Sequence, residues 1–455
     1  MKNTFHKLAL GTLLLALPLV GCDKKLDTEP VTSIPAENAL NTSADVQAAL
    51  RGAYELLGNQ YLYGGGFQYY ADLLGDAEEV QWGGTFSAPR EIFRKSILVN
   101  NGFVASTWTT SYQAINMANT VLANIDKVTA VNQKEVEGGA KFVRGTLYFE
   151  LARFYARDWN DGNPTSNLAV PLVLTPTNPS SPDQTIVAAA QLSRNTVAEV
   201  YAQAIKDLTD AETLLSKPSS PTSNLYASSY TASGMLSRVY LQQSRYAEAA
   251  AEANKVISSG VYSLVPSLAD EFASKTNTSE SVFDVQLTTQ SGINDLNTFY
   301  SSYGRGGDIS LNDAYLKLYE KADSRVSEAL IDYDSYLTKK FDNTHGNIHL
   351  MRLAEMYLTR AEGNLRAGTS VGATPLADVN RVRARAEATP LTSVTLAGVL
   401  SERHRELAFE GFLLHDQKRN MVAVGTLPYN SPRLIFPIPQ RERDVNSNLV
   451  QNEGY

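Results

Sequence analysis

The chain has 455 residues, 43% of them hydrophobic and 19% charged, with a formal net charge of -8. That size admits one large domain or two to three ordinary ones, and the composition is that of a globular protein. The acidic balance argues against nucleic-acid and polybasic membrane-surface binding, which need a positive face for phosphates. A single cysteine leaves no second thiol for a disulfide, so the fold has to rest on its own core.

Lys2, His6 and Lys7 precede an apolar run from Leu8 to Val20, and Leu19-Val20-Gly21-Cys22 closes it with small residues before the thiol. These are the parts of a secretory signal, and the final cysteine makes the segment resemble a bacterial lipobox. The resemblance implies that residues 1–21 are removed as a signal peptide and that Cys22 becomes the acylated first residue of the mature chain. Two or more acyl chains hold a protein stably, at roughly 0.8 kcal/mol per buried methylene. The competing readings are an ordinary signal with an incidental cysteine, or an uncleaved anchor. The apolar run falls short of the roughly 20 residues that a spanning helix takes, and Pro18 interrupts it. No later segment approaches spanning length, so the remainder is expected to be soluble and extracytoplasmic. Residues 22–35 lack periodicity and hold Pro30 and Pro35, which predicts an extended tether ahead of a single domain over 36–455.

Helices then dominate. Val46, Leu50, Ala53, Tyr54 and Leu57 form one apolar face, with Gly58 placed as a C-terminal cap. The period continues over Trp108 to Val128. Phe142 to Trp159 is apolar almost all round, which predicts a helix buried between neighbours. Thr196 and Glu199 form a capping-box pattern opening a helix to about Leu215. Between Ser229 and Gly260, two helices flank a tight turn at Ser244-Arg245, with Ala249, Ala250 and Ala253 at the contacts; this is the tetratricopeptide pattern. Similar pairs can be drawn through 105–157 and 347–386, and helices over His349 to Arg366 and Leu396 to Arg419 complete the frame. Residues 58–95 and 288–310, rich in glycine and aromatics, read instead as irregular excursions, the second preceded by a strand-like alternation from Ser281 to Leu287. Long loops carrying aromatics are more often functional than disordered.

Catalytic motifs are missing. His345 and His349 share a spacing of four but lack the glutamate of a zinc helix, and they read as surface or capping residues. Asp158 to Asn163 briefly resembles a calcium loop, but its glycine, Gly162, falls one place early and position 169, where the bidentate glutamate would stand, is alanine; the segment reads as a turn. There is neither a nucleophile elbow nor a phosphate-binding loop. No metal or cofactor is expected, and a helical-repeat frame normally serves binding.

Phe142-Val143-Arg144-Gly145-Thr146-Leu147-Tyr148-Phe149-Glu150-Leu151-Ala152-Arg153 is similar to the SusD/RagB family of surface lipoproteins. So are Trp108 with Tyr112, Ile115 and Asn119; Arg352 to Leu358 with Ala361-Glu362; Asn380-Arg381-Val382-Arg383; Glu402-Arg403 through Glu406 to Gly411; and Pro437-Ile438-Pro439 to Tyr455. One departure is His415 to Asn420, where the family more often has Asp-Leu-x-Arg-Trp. The resemblance implies a mainly α fold in which four tetratricopeptide-like helix pairs form a right-handed superhelical scaffold, with a loop-rich ligand-binding face and few short strands. It implies an N-terminal family part over about 36–215 and a C-terminal part over about 270–455. It also implies an outer-membrane, cell-surface lipoprotein that captures oligosaccharides, or peptides in some members, for a SusC-like TonB-dependent transporter.

Sugars present C–H faces and hydroxyl rims, so their sites need aromatic plates beside hydrogen-bonding groups. Trp108 and Trp159 fall on scaffold positions and are expected in the core; Tyr61 and Tyr63 are read as structural. The candidate ligand-binding residues are Trp82 and Phe86, beside Gln81 and two glycines, followed by Tyr300, Tyr303 and Arg305. The expected function is non-catalytic glycan capture. A peptide-binding member, a transporter lid with little specificity of its own, and more remotely a hydrolase are the alternatives.

Overall fold

The computed structural model describes residues 40–75, 78–179, 184–223, 225–287, 294–301, 307–326 and 336–455. Cys22, the signal segment, the tether, Tyr303 and Arg305 lie outside the described residues. Helix α1 (Ser43–Leu57) opens on a reciprocal capping box between Thr42 and Asp45 and buries Val46, Ala53 and Leu57. Gly58 does follow it, but at φ -81°, so no left-handed cap is involved. What requires glycine there is space, because a Cβ would stand 2.7 Å from Cγ1 of Val285.

Residues 58–95 differ from the irregular excursion expected of them. They contain α2 (Gly66–Gly75), β1 (Val80–Trp82) and α3 (Ser87–Phe93). Every residue of α2 is buried, so the aromatic density belongs to a helix enclosed in the core, where no polar face marks the period. Tyr63, also buried, donates its hydroxyl to Glu150.

Next, α4 (Gly102–Ala123) begins upstream of Trp108, where the Asn101 side chain accepts from the N–H groups of Phe103 and Val104, both at 3.1 Å. In α5 (Ala130–Tyr155) every residue from Phe142 to Tyr155 is buried, as its all-round apolar sequence predicts. Arg144 ties these helices to the next long one, donating to Asp207 at 2.8 and 2.7 Å and to Asn119 at 2.8 Å. After the short α6 (Ile186–Ala190), α7 (Val197–Leu214) starts at the predicted capping box, with the Glu199 N–H donating to Thr196 Oγ1 at 3.2 Å. Helices α8 (Ser229–Gln242) and α9 (Tyr246–Ser258) form the predicted pair, and Ser244 takes φ +60° to make the turn between them.

The chain continues through α10 (Leu268–Ala273), β2 (Ser281–Val285), α11 (Asp295–Tyr300), β3 (Ile309–Leu311) and α12 (Asp313–Leu316). Then come β4 (Ile348–Arg352), α13 (Leu353–Ala367), α14 (Pro375–Arg385), α15 (Leu396–Glu406), α16 (Leu413–Arg419) and α17 (Gln440–Val445). The fold is mainly helical. In succession α4 packs on α5, α5 on α7, α7 on α8, α8 on α9, α9 on α13, and α13 on α14 and α15. Two small antiparallel sheets, β1 with β3 and β2 with β4, complete it among the described residues. Thr42–Tyr455 form one compact unit, and no helix of the described residues is long and apolar enough to cross a membrane.

Two helical expectations need correction. His349 lies on β4 rather than at a helix start, because the segment pairs with β2 and sets the imidazole opposite Asp284. It is also buried rather than at the surface. Burial opposes its charge, but Asp284, at 2.9 Å from Nδ1, and Glu271 outweigh this and raise its pKa to about 9. Secondly, Leu396 to Arg419 is interrupted: Phe409 at φ +65° and Gly411 at φ +85° separate α15 from α16.

Below β4 lies a buried network of charges. Arg352 donates to Glu280 at 2.6 Å, to Glu406 at 3.1 Å and to Glu410 at 2.8 Å. Arg385 contacts Glu280 and Glu406; Arg325 reaches Glu402 and Glu406; Lys340 donates to Glu410 at 2.5 Å. Burial alone would raise the carboxylates. Arg385, Arg352 and Arg325 overcome it at Glu406, and Arg352 and Lys340 do so at Glu410, holding both at about 2.

Candidate ligand-binding site

Strand β1 carries Trp82 to the edge of the unit. It pairs with β3 so that Val80 faces Leu311 and Trp82 faces Ile309, and the Gly83 N–H donates to the Asp308 carbonyl at 2.7 Å. Gly84 must be glycine here, since a Cβ would stand 2.4 Å from Asp308 Cγ and 2.6 Å from the Trp82 indole. This close approach fixes the Trp82 ring, which is 8% exposed and packs 5.9 Å from Phe299. Its Nε1 is buried with no acceptor among the described residues.

Phe86 differs. It stands just before α3 and is 41% exposed, with its ring 6.2 Å from Phe299 and 6.4 Å from Phe103. Tyr61 packs edge-on against Phe103 at 5.5 Å, so the residue read as structural belongs to the same aromatic cluster. Beside Trp82 an open groove of about 510 Å³ is lined by Gln81, Thr85, Arg90, Phe93 and Arg94. Arg90 Nη2 donates to the Thr85 carbonyl at 2.7 Å, while the Arg94 side chain projects into solvent. The groove thus joins an aromatic edge and a carboxamide to two guanidinium groups, with no carboxylate in its lining. That set can stack on a sugar face and bond its hydroxyls or an acidic substituent.

Of the other predicted residues, Tyr300 is fully buried. Its hydroxyl donates to Asp72 Oδ2 at 2.8 Å and its ring packs on Phe341 and Phe409, so it offers no surface to a ligand. Burial pushes Asp72 up to about 7 despite the Tyr300 hydroxyl. Trp108 packs in the core as expected, against Tyr112, whereas Trp159 is only half-buried and leans on the core at Tyr201. Asp158 to Asn163 is a turn in which Asp158 Oδ1 accepts from the Asn160 N–H at 3.0 Å. Sequence reasoning missed Arg90 and Arg94; the signal lay in their spacing of four, on α3 and at its C-terminal cap, directly after the candidate aromatics.

A smaller cavity of about 280 Å³ is walled mainly by Leu400, Leu407, Phe409 and Phe412, with Asp72 and His404 at its polar side. Its volume falls just below the roughly 300–1,000 Å³ of ordinary ligand pockets, and its lining is mostly apolar.

The chain is similar to proteins of known family. Residues 26–241 match a family model described as "Starch-binding associating with outer membrane", and residues 321–434 match the model of the SusD family. The "SusD-like protein P2" of Formosa agariphila is 25% identical over an alignment covering 99% of this chain and 100% of that protein. The "Starch-binding protein SusD" of Bacteroides thetaiotaomicron is 34% identical over 128 residues, covering 24% of this chain and 22% of that protein. A SusD superfamily crystal structure from Bacteroides thetaiotaomicron superposes with a TM-score of 0.77 at 26% identity, covering 90% of this chain and 99% of that one.

Proposed function

Since the chain belongs to the SusD/RagB family of outer-membrane-associated binding proteins, we propose that it captures oligosaccharides at the cell surface without cleaving them and passes them to a SusC-like TonB-dependent transporter. The observation that carries this reading is the groove at Trp82, lined by Gln81, Arg90 and Arg94, with the exposed Phe86 ring next in the chain to its lining residue Thr85. Phe86 supplies the plate for a pyranose face; Gln81 and Arg94 supply donors for hydroxyls. Trp82 acts mainly as the packed base of the groove. Tyr303 and Arg305 remain proposed contacts from the neighbouring excursion. In this reading Cys22 carries the lipid that holds the protein at the outer membrane, and residues 22–35 give the domain reach.

The test is retention. The mature protein is run through gels containing starch, xylan, mannan or alginate and, in parallel, incubated with a tryptic digest of casein. Retardation by a glycan is expected, with no release of reducing ends. Enrichment of peptides without glycan retardation would overturn the glycan reading, and release of sugar product would make the protein an enzyme. Transporter partnership is tested by co-purification from outer membranes, where recovery of the protein without a transporter would count against delivery.

A further inference from the structure

We propose that the cleft between the end of α1 and β2 is a second oligosaccharide site, with Tyr226 as its platform; this rests on the glycan reading above. The cleft holds about 730 Å³ and shares no lining residue with the groove at Trp82. Ligand pockets generally run to a few hundred cubic ångströms, so this volume takes several sugar units.

Its aromatic plate is fixed and accessible. Tyr226 is 45% exposed, and its ring leans on Tyr54 at a centroid distance of 5.0 Å. Tyr54 in turn meets Phe283 edge-on at 6.3 Å and accepts a hydrogen bond from the Ala227 N–H at 3.4 Å. Ser228 then caps α8. A ring packed on one face against a neighbour that is itself held loses less freedom when a ligand stacks on its other face.

Another part of the lining is polar and held together by hydrogen bonds. Gln286 Nε2 donates to Asn277 Oδ1 at 2.7 Å, Asn347 Nδ2 donates to the same atom and to Gln286 Oε1, both at 3.0 Å, and the Leu287 N–H donates to Asn347 Oδ1 at 3.1 Å. The rim is the opposite. Arg51, Glu55, Gln60 and Lys275 line the cleft with side chains that have no hydrogen-bond or ion-pair partner among the described residues. Elsewhere in this chain guanidinium groups such as Arg144, Arg325 and Arg352 are tied to carboxylates. The charged groups facing the space are Arg51, Lys275, Glu55 and Asp284, the last paired with His349. With Asp284 neutralised by His349, two cations stand against one carboxylate around a carboxamide wall, a net charge of only one for an ionic ligand. They suit hydroxyls, which donate to Glu55 and accept from Arg51 and Lys275.

The experiment is calorimetric titration of the mature protein with maltohexaose, xylohexaose, mannohexaose and hexaguluronate, and with casein tryptic peptides. Tyr226→Ala is expected to weaken binding of a neutral hexasaccharide about tenfold, or to remove one of two binding events, while Tyr226→Phe keeps most of it. Lys275→Ala is a second, independent variant, and both residues are exposed enough that unfolding curves should match wild type. Wild-type binding by both Tyr226→Ala and Lys275→Ala overturns the proposal. Loss in Phe86→Ala alone overturns this site and leaves the groove at Trp82 standing; loss in Tyr226→Ala alone does the reverse. Binding of hexaguluronate or peptides in place of the neutral sugars overturns the assigned chemistry, and no hexasaccharide bound by wild type overturns both sites.

Discussion

Removing the Phe86 ring puts the groove to its most direct test. An aromatic side chain offers about 150–250 Å² of surface, and Phe86 leaves 41% of its own in water, so about 60–100 Å² is open to a sugar face. At about 25 cal/mol per Å², complete coverage contributes about 1.5–2.5 kcal/mol. A pyranose covers only part of the ring, which brings the expected loss in Phe86→Ala to about 1–2 kcal/mol, or about 5–30-fold in Kd. The buried part of the ring packs on Phe103 and Phe299, so some stability is lost as well and has to be separated from binding. Calorimetric titration with the retained oligosaccharide, at a temperature below both unfolding transitions, does this, and Phe86→Tyr serves as the control that keeps the plate. An affinity within about twofold of wild type, from a variant with a native unfolding curve, would refute the assignment.

Trp82 should behave differently because it is mostly buried: Trp82→Ala is expected to cost about 3–5 kcal/mol of stability, seen in urea unfolding, and a midpoint unchanged from wild type would show that the ring is not packed as described. Glu406 and Glu410 are both held at about 2, below the ordinary 4.5. Depressed carboxylates contribute stability that is complete above about 4.5 and lost as pH falls towards about 2. Wild-type Tm should therefore fall through that window more steeply than that of Glu410→Gln, and parallel curves would contradict the network. Cys22→Ser should abolish acylation and release the protein from membranes on fractionation; persistent attachment of that variant would mean that something else anchors it.

The helical scaffold was legible wherever one face was apolar and the other wet. The capping box at Thr196 and Glu199 and the small-residue pair across Ser244-Arg245 report local interactions, and local interactions survive in a one-dimensional reading. Helix α2 did not: the equally enclosed stretch from Phe142 to Tyr155 is long enough to read as a buried helix, but α2 has only 10 residues, and its glycines and tyrosines imitate a loop. His349 failed for a non-local reason: strand β2 and Asp284 are far away in sequence, and pairing with them overrides a helical spacing. The aromatics of the groove divided in the same way. Exposure separates Phe86 from Tyr300, yet nothing in either residue's neighbours foretold that Tyr300 would hydrogen-bond to Asp72 within the core. Family motifs such as Glu402-Arg403 and Glu406 to Gly411 looked like signatures in the sequence; in three dimensions Glu402, Glu406 and Glu410 join Glu280 as carboxylates of the buried ion network.

That network sets how the chain can be re-engineered. Glu280 and Glu410 each serve two cations and Glu406 serves three, so replacing any of them strands several charges at low dielectric and no single compensating change restores them. The side chains around the two openings carry few such obligations. A library that randomises Phe86, Arg94, Tyr226 and Lys275 while leaving the acidic positions untouched should keep a large folded fraction and vary in ligand preference. Diversity spread evenly along the chain would mostly sample unfolded variants.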